Sequence, residues 1–145
     1  MHVENIVIAC DHAGYKLKKK IMKNFSKKVY FTDMGTDSEE SCDYPDYAHK
    51  AMVAVTRGEV SYAILLCGSG NGMTIAANKH KLVRCALAWN KEIAELARLH
   101  NNANVLSIPA RFVTDDEAYE IVEAFLETQF EGGRHERRVE KISQY

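Results

Sequence analysis

Five short runs of apolar, β-favouring residues, at 5–10, 29–32, 62–66, 84–88 and 104–108, alternate with stretches whose apolar positions recur at helical spacing. Ile64-Leu65-Leu66 and Cys85-Ala86-Leu87-Ala88 are apolar at every position, so both faces of those strands must be buried. A parallel sheet with helices on each side buries them. The chain is therefore expected to be an α/β protein, a three-layer α/β/α sandwich around a five-stranded sheet.

The intervening helices are predicted at 14–25, 47–57, 72–80, 91–99 and 115–128, with a charged C-terminal helix after Gly132-Gly133. In the first, Tyr15, Leu17, Ile21, Met22 and Phe25 share one face, which leaves Lys16, Lys18, Lys19, Lys20 and Lys23 toward water. Residues 33–46, with Gly35 and Pro45, read as a long irregular loop, and such a loop in a compact domain is often functional. No repeat, low-complexity tract or linker divides the 145 residues, so one domain over 1–145 is expected.

Nineteen basic residues against twenty acidic ones give a net charge of -1, which favours neither a nucleic-acid nor a membrane partner. No run approaches the length of a membrane span and the first residues lack a secretory pattern, so a cytoplasmic protein is expected. Cys10, Cys42, Cys67 and Cys85 form no CxxC pair. They predict neither a zinc knuckle nor a disulfide framework.

In parallel α/β folds, ligands collect where strands end and helices begin. After the third strand comes Cys67-Gly68-Ser69-Gly70-Asn71-Gly72, which holds three of the chain's eight glycines. Glycines let successive N–H groups turn into one concavity, forming an anion nest. Their spacing is G-x-G-x-G, not the dinucleotide fingerprint, and no Walker lysine follows. A cysteine-phosphatase loop would need arginine six positions after the thiol, where Met73 stands. Cys67 itself is either a small apolar residue ending a strand or a thiol that the nest activates below its ordinary pKa of about 8.5.

Other strand and helix ends offer further polar groups. Asp11 is suited to cap a helix or to accept from a sugar hydroxyl, and His12 to meet an anion or a polar substrate atom. His100 and Asn101 fall at the end of the fourth helix, either as a cap cluster or with His100 exchanging protons. Arg111 follows the last strand. Arg134 and Arg138, four apart, leave one helix face and would either grip a phosphate or pair with Glu131 or Glu140.

Together, Asp11-His12, "DYPDYA" at 43–48, "CGSGNGM" at 67–73, "IAAN" at 75–78, "HNNANVL" at 100–106 and "EGGRHERRV" at 131–139 resemble the B-type ribose-5-phosphate isomerases, in order and across nearly the whole chain. The resemblance implies a Rossmann-like subunit that dimerises, or forms a dimer of dimers, to complete its sites. It also implies interconversion of ribose 5-phosphate and ribulose 5-phosphate with no metal or cofactor. Cys67 would be the base between C2 and C1, and His100 would open the sugar ring. Asp11, His12 and the loop Gly68, Ser69, Gly70, Asn71 and Gly72 would hold the sugar and enediolate. Asn101, Arg111, Arg134 and Arg138 would orient substrate and phosphate, with Tyr44 as a further contact. Some relatives carry a glutamate base where this chain has Met73, so the sequence resembles the cysteine subtype. Isomerases of six-carbon sugar phosphates and a non-catalytic phosphate-binding module remain as alternatives.

Overall fold

The computed structural model describes residues 4–144. Its strands are β1 (Glu4–Cys10), β2 (Val29–Asp33), β3 (Tyr62–Cys67), β4 (Cys85–Leu87) and β5 (Val105–Pro109). Its helices are α1 (Tyr15–Asn24), α2 (Tyr44–Thr56), α3 (Asn71–Ala77), α4 (Lys91–Asn101), α5 (Asp115–Glu127) and α6 (Arg134–Ile142). The strands form one parallel sheet in the order β2-β1-β3-β5-β4.

Strand alternation divides the core in two. Ile6, Ile8, Ile64, Leu66, Leu106 and Ile108 pack against Leu17 and Ile21 of α1, Ala94 and Ala97 of α4, and Ile121 and Phe125 of α5. Val7, Ala9, Ala63, Leu65, Cys67 and Val105 pack the other way, onto Ala48 and Met52 of α2 and Met73 and Ala77 of α3. Burying each large aliphatic side chain contributes about 1.5–3 kcal/mol, so a strand covered on both faces is apolar at every position.

Local chemistry sets the element ends. Helix α2 starts at Tyr44, three residues before the predicted start, because Pro45 fits the first helical turn with its fixed φ and missing N–H. The irregular loop shortens accordingly to 34–43. Helix α4 runs on to Asn101, and Asn102 ends it in the left-handed conformation at φ 47°.

One lysine departs from the expected solvent face. The Lys18 side chain is fully buried, where Nζ donates to Asp33 Oδ1 at 2.7 Å and to the Thr36 carbonyl at 2.6 Å. A buried ammonium needs such partners, and they lie on β2 and the following loop, far from Lys18 in sequence. The pair ties α1 to the start of that loop.

The parallel topology sorts the polar residues to two edges. The carboxyl ends of β1, β3 and β5 bring Asp11, Cys67 and Arg111 to one edge, joined by the bonds from Asp11 N–H to the Leu66 carbonyl and from Arg111 N–H to the Gly68 carbonyl. Helices α4 and α5 run back, so His100 and all of α6 sit at the amino edge. From β1 the chain turns outward to β2, and from β3 it crosses the other way. The crevice between β1 and β3 is thus the switch point where such sheets bind ligands.

Candidate active site

At the carboxyl edge, Cys67 ends β3 with 4% of its surface exposed. The glycine loop then wraps around its thiol. Gly70 adopts φ +78°, and a Cβ there would strike Leu87 Cδ1 and come within 3.3 Å of the Pro109 nitrogen, so only glycine fits. Its carbonyl is held by the Thr74 hydroxyl at 2.7 Å and the Ser107 hydroxyl at 2.9 Å. The Ser69 hydroxyl accepts the Asn71 N–H at 3.3 Å.

The expected activation of Cys67 is not what the subunit shows. Burial pushes the thiol above its ordinary value, and the backbone N–H groups of Met73, Gly70 and Gly72, which favour thiolate, only partly offset it. The nest is present; desolvation outweighs it. Burial pushes Cys10 to about 11 and Cys85 to about 12, and both are inert core thiols.

Around this loop stand other predicted residues. Asp11 Oδ1 accepts from the Ala13 N–H at 2.9 Å and the Gly14 N–H at 3.2 Å, so it caps the 3-10 turn His12–Gly14. His12 follows, and its Nδ1 accepts the Cys42 N–H at 3.2 Å, which leaves Nε2 to carry the proton in the neutral ring. The exposed Tyr44 ring covers Gly72, where a Cβ would lie 2.5 Å from its Cε1. The Arg111 guanidinium lies on Gly68, whose absent Cβ would meet Nη1 at 3.0 Å. Both glycines give way to a side chain that lines the loop.

The amino edge carries the rest. The His100 ring stacks on His135, with centroids 4.2 Å apart and planes 14° from parallel, and each Nε2 lies 3.9 Å from Glu131 Oε2. Burial, then the neighbouring His100, hold the His135 imidazole below its ordinary pKa. Arg134 and Arg138 are exposed on α6 and form no ion pair among the described residues, so Glu131 turns to the histidines and not to these arginines. Asn101 lines a cleft with Asn78, Arg84 and Ile142.

The structure thus brings Asp11, His12, Tyr44, Cys67, Gly68, Ser69, Gly70, Asn71, Gly72 and Arg111 together at one edge, and His100, Asn101, Arg134 and Arg138 at the other. Between Cys67 and the residue level with the start of β5 lie four strand steps, about 13 Å. Two contacts at these edges are not visible in the sequence: the Cys42 N–H holds His12, and His135 stacks on His100. Each contact joins segments about thirty residues apart and has no local signature.

The ribose/galactose isomerase family model matches residues 6–142. Ribose-5-phosphate isomerase B of Escherichia coli is 43% identical to the chain over 142 residues, covering 97% of this chain and 95% of that protein. Among solved structures, a ribose 5-phosphate isomerase from Thermotoga maritima superposes with a TM-score of 0.97 at 48% identity, covering 99% of this chain and 100% of that one. Ribose-5-phosphate isomerase B from Mycoplasma genitalium, solved with bound ribulose-5-phosphate, superposes at 0.93 with 44% identity, covering 100% of this chain and 97% of that one. With its sheet order and its glycine loop, this chain belongs to the ribose/galactose isomerase family.

Proposed function

We propose that the protein interconverts D-ribose 5-phosphate and D-ribulose 5-phosphate, the aldose–ketose step of the non-oxidative pentose phosphate pathway, as a cytoplasmic enzyme without metal or cofactor. The observation that carries this reading is the Cys67 thiol at the end of β3, ringed by the N–H groups of Gly70, Gly72 and Met73. The relative with ribulose-5-phosphate bound supports the substrate.

Cys67 takes the proton from C2 of the open aldose and returns it to C1, which requires one base lying across both carbons. The negative charge that develops on the sugar oxygen needs preorganised donors in a dry site, and each is worth a few kcal/mol, about 3 for one donor. The glycine loop supplies these donors. His12 offers Nε2–H to a substrate oxygen, and Asp11, with Oδ1 occupied by its cap, offers Oδ2 to a hydroxyl.

His100 opens the furanose ring by moving a proton between the ring oxygen and the C1 hydroxyl. Arg134 and Arg138 clamp the phosphate with Arg111, and Asn101 orients the sugar, so that remote binding energy holds C1 and C2 against the thiol.

These roles need both edges of the sheet in one site, so the reading places each site between two copies of the chain, with the amino edge of one subunit over the carboxyl edge of the other. Val53 and Ile75 on the adjoining helices α2 and α3, together with Leu82, are exposed apolar residues that a second copy would cover. A homodimer suffices, and a dimer of dimers repeats it.

The test is a coupled assay of ribose 5-phosphate isomerisation with and without chelator, on wild type and Cys67→Ala. Turnover is expected to withstand chelator and to fall by at least about 10³-fold in the variant, while sugar phosphate still binds. Near-normal turnover of Cys67→Ala would remove Cys67 as the base. Parallel assays with allose 6-phosphate and galactose 6-phosphate separate a pentose from a hexose enzyme.

A further inference from the structure

We propose that His100, Glu131 and His135 form a binding site for a zinc-like transition-metal ion, and that the bound ion inhibits the enzyme by occupying the His100 imidazole. One donor atom from each residue falls within a 4.8 Å cluster, and both Nε2 atoms lie 3.9 Å from Glu131 Oε2. Two imidazoles and one carboxylate make a three-donor set that zinc accepts, leaving the fourth position to water.

A second, independent observation points to a ligand. His135 is 7% exposed and its Nε2 is buried without a hydrogen-bond partner, although a buried polar nitrogen normally has one. That nitrogen faces Glu131 Oε2 at a distance too long for a hydrogen bond. A metal ion there would give it a partner.

The geometry is close to what coordination needs. Bonds of about 2.0–2.2 Å in a tetrahedron place donors about 3.4 Å apart, so the cluster has to contract by roughly 0.5–1.5 Å. His135 is held at the start of α6, but the Glu131 side chain is 56% exposed and that of His100 38%, so these two supply the movement. Arg134 and Arg138 on the same helix oppose a cation. The site therefore selects ions that bond strongly to imidazole, such as zinc, copper, nickel and cobalt, over magnesium or calcium, which favour oxygen donors.

The inhibitory half of the proposal rests on the ring-opening role given to His100, acting through Nε2: a ring nitrogen whose lone pair is bound to a metal can neither take nor deliver a proton. The binding half does not depend on that role.

The experiment begins with cobalt(II) titrated into the Cys42→Ser/Cys67→Ala double variant, which keeps the cluster and removes the half-buried Cys42 thiol and the Cys67 thiol within the nest. One cobalt per subunit is expected, with visible bands of nitrogen and oxygen coordination. His135→Ala or Glu131→Gln in that background should weaken binding at least about tenfold. In enzymes with both thiols intact, the zinc concentration that halves turnover, each relative to its own metal-free rate, should rise at least about tenfold in Glu131→Gln and His135→Ala. Glu131 is exposed, so its variant remains informative if His135→Ala folds poorly. Absence of saturable cobalt binding, or zinc sensitivity unchanged in Glu131→Gln, would overturn the proposal. Stoichiometric cobalt binding together with full ribose 5-phosphate turnover by His100→Ala would overturn the inhibitory half and the ring-opening role, while the metal site itself would stand.

Discussion

Cys67 closes β3 at the carboxyl edge of the sheet, whereas His100 lies in the last turn of α4 at the amino edge, so one subunit holds them at opposite ends. If both act on one sugar, they come from different copies of the chain. Mixing inactive Cys67→Ala and His100→Ala proteins, then dissociating and reassociating them, should therefore restore activity. Half of the dimers formed at random are hybrids, and each hybrid has one intact site of two, so about a quarter of wild-type activity is expected. A mixture that stays inactive while native mass spectrometry shows hybrids would place both residues of each site in the same chain.

Burial raises the Cys67 thiol above 9.0 against the pull of three backbone N–H groups. Alkylation follows the thiolate, so the rate of iodoacetamide labelling at Cys67, read by peptide mass, should climb with pH and inflect above 9.0 in the substrate-free protein. A plateau below pH 8 would mean that cationic groups at the assembled site outweigh desolvation.

The strands and the glycine loop were legible in the sequence because their causes are local: an apolar run such as 62–66 and a glycine at Gly70 each dictate their own backbone. Lys18 was not. Its helix position marks it as solvated, and only the arrival of Asp33 and the Thr36 carbonyl makes its burial tolerable. The candidate site was half legible for the same reason. Residues after strands announce themselves, but which edge His100 joins, and its stack on His135, depend on the direction of α4 and the return of α6.

The Lys18–Asp33 pair should be worth measurable stability. Lys18→Met leaves the Thr36 carbonyl without its side-chain donor and the Asp33 carboxylate with only the Gly35 N–H and the more distant Lys19 ammonium, at a cost of about 3 kcal/mol, the low end for a broken buried pair because Asp33 keeps 21% exposure. Burial alone would raise the Asp33 carboxyl, but the bonds from Lys18 and from the Gly35 N–H outweigh it and hold the pKa below its ordinary 3.8. A carboxyl depressed on folding stabilises the protein above its unfolded pKa, and that contribution is lost as pH falls through the folded value. Urea melts should show wild type losing part of its advantage over Lys18→Met below about pH 4. A constant difference from pH 7 to pH 3 would count against the ion pair.

Gly70→Ala tests whether the loop's conformation, and not only its thiol, carries the chemistry. The left-handed φ of +78° costs a residue with a side chain about 1–3 kcal/mol, and the added methyl meets Leu87 and lies 3.3 Å from the Pro109 nitrogen. The backbone has to shift, taking with it the Gly70 N–H beside Cys67 and the carbonyl held by Thr74 and Ser107. Misplacing one preorganised donor typically lowers turnover by about 10²-fold. Gly58→Ala is the control, since its φ of +73° is equally left-handed but a Cβ there meets nothing within 4 Å. Both variants should lose stability through the left-handed φ, Gly70→Ala the more because of its contact with Leu87, but only Gly70→Ala should lose turnover at full substrate saturation. If Gly70→Ala keeps its turnover while Cys67→Ala loses it, the thiol acts without the nest, and stabilisation of the enediolate has to come from His12 and the arginines instead.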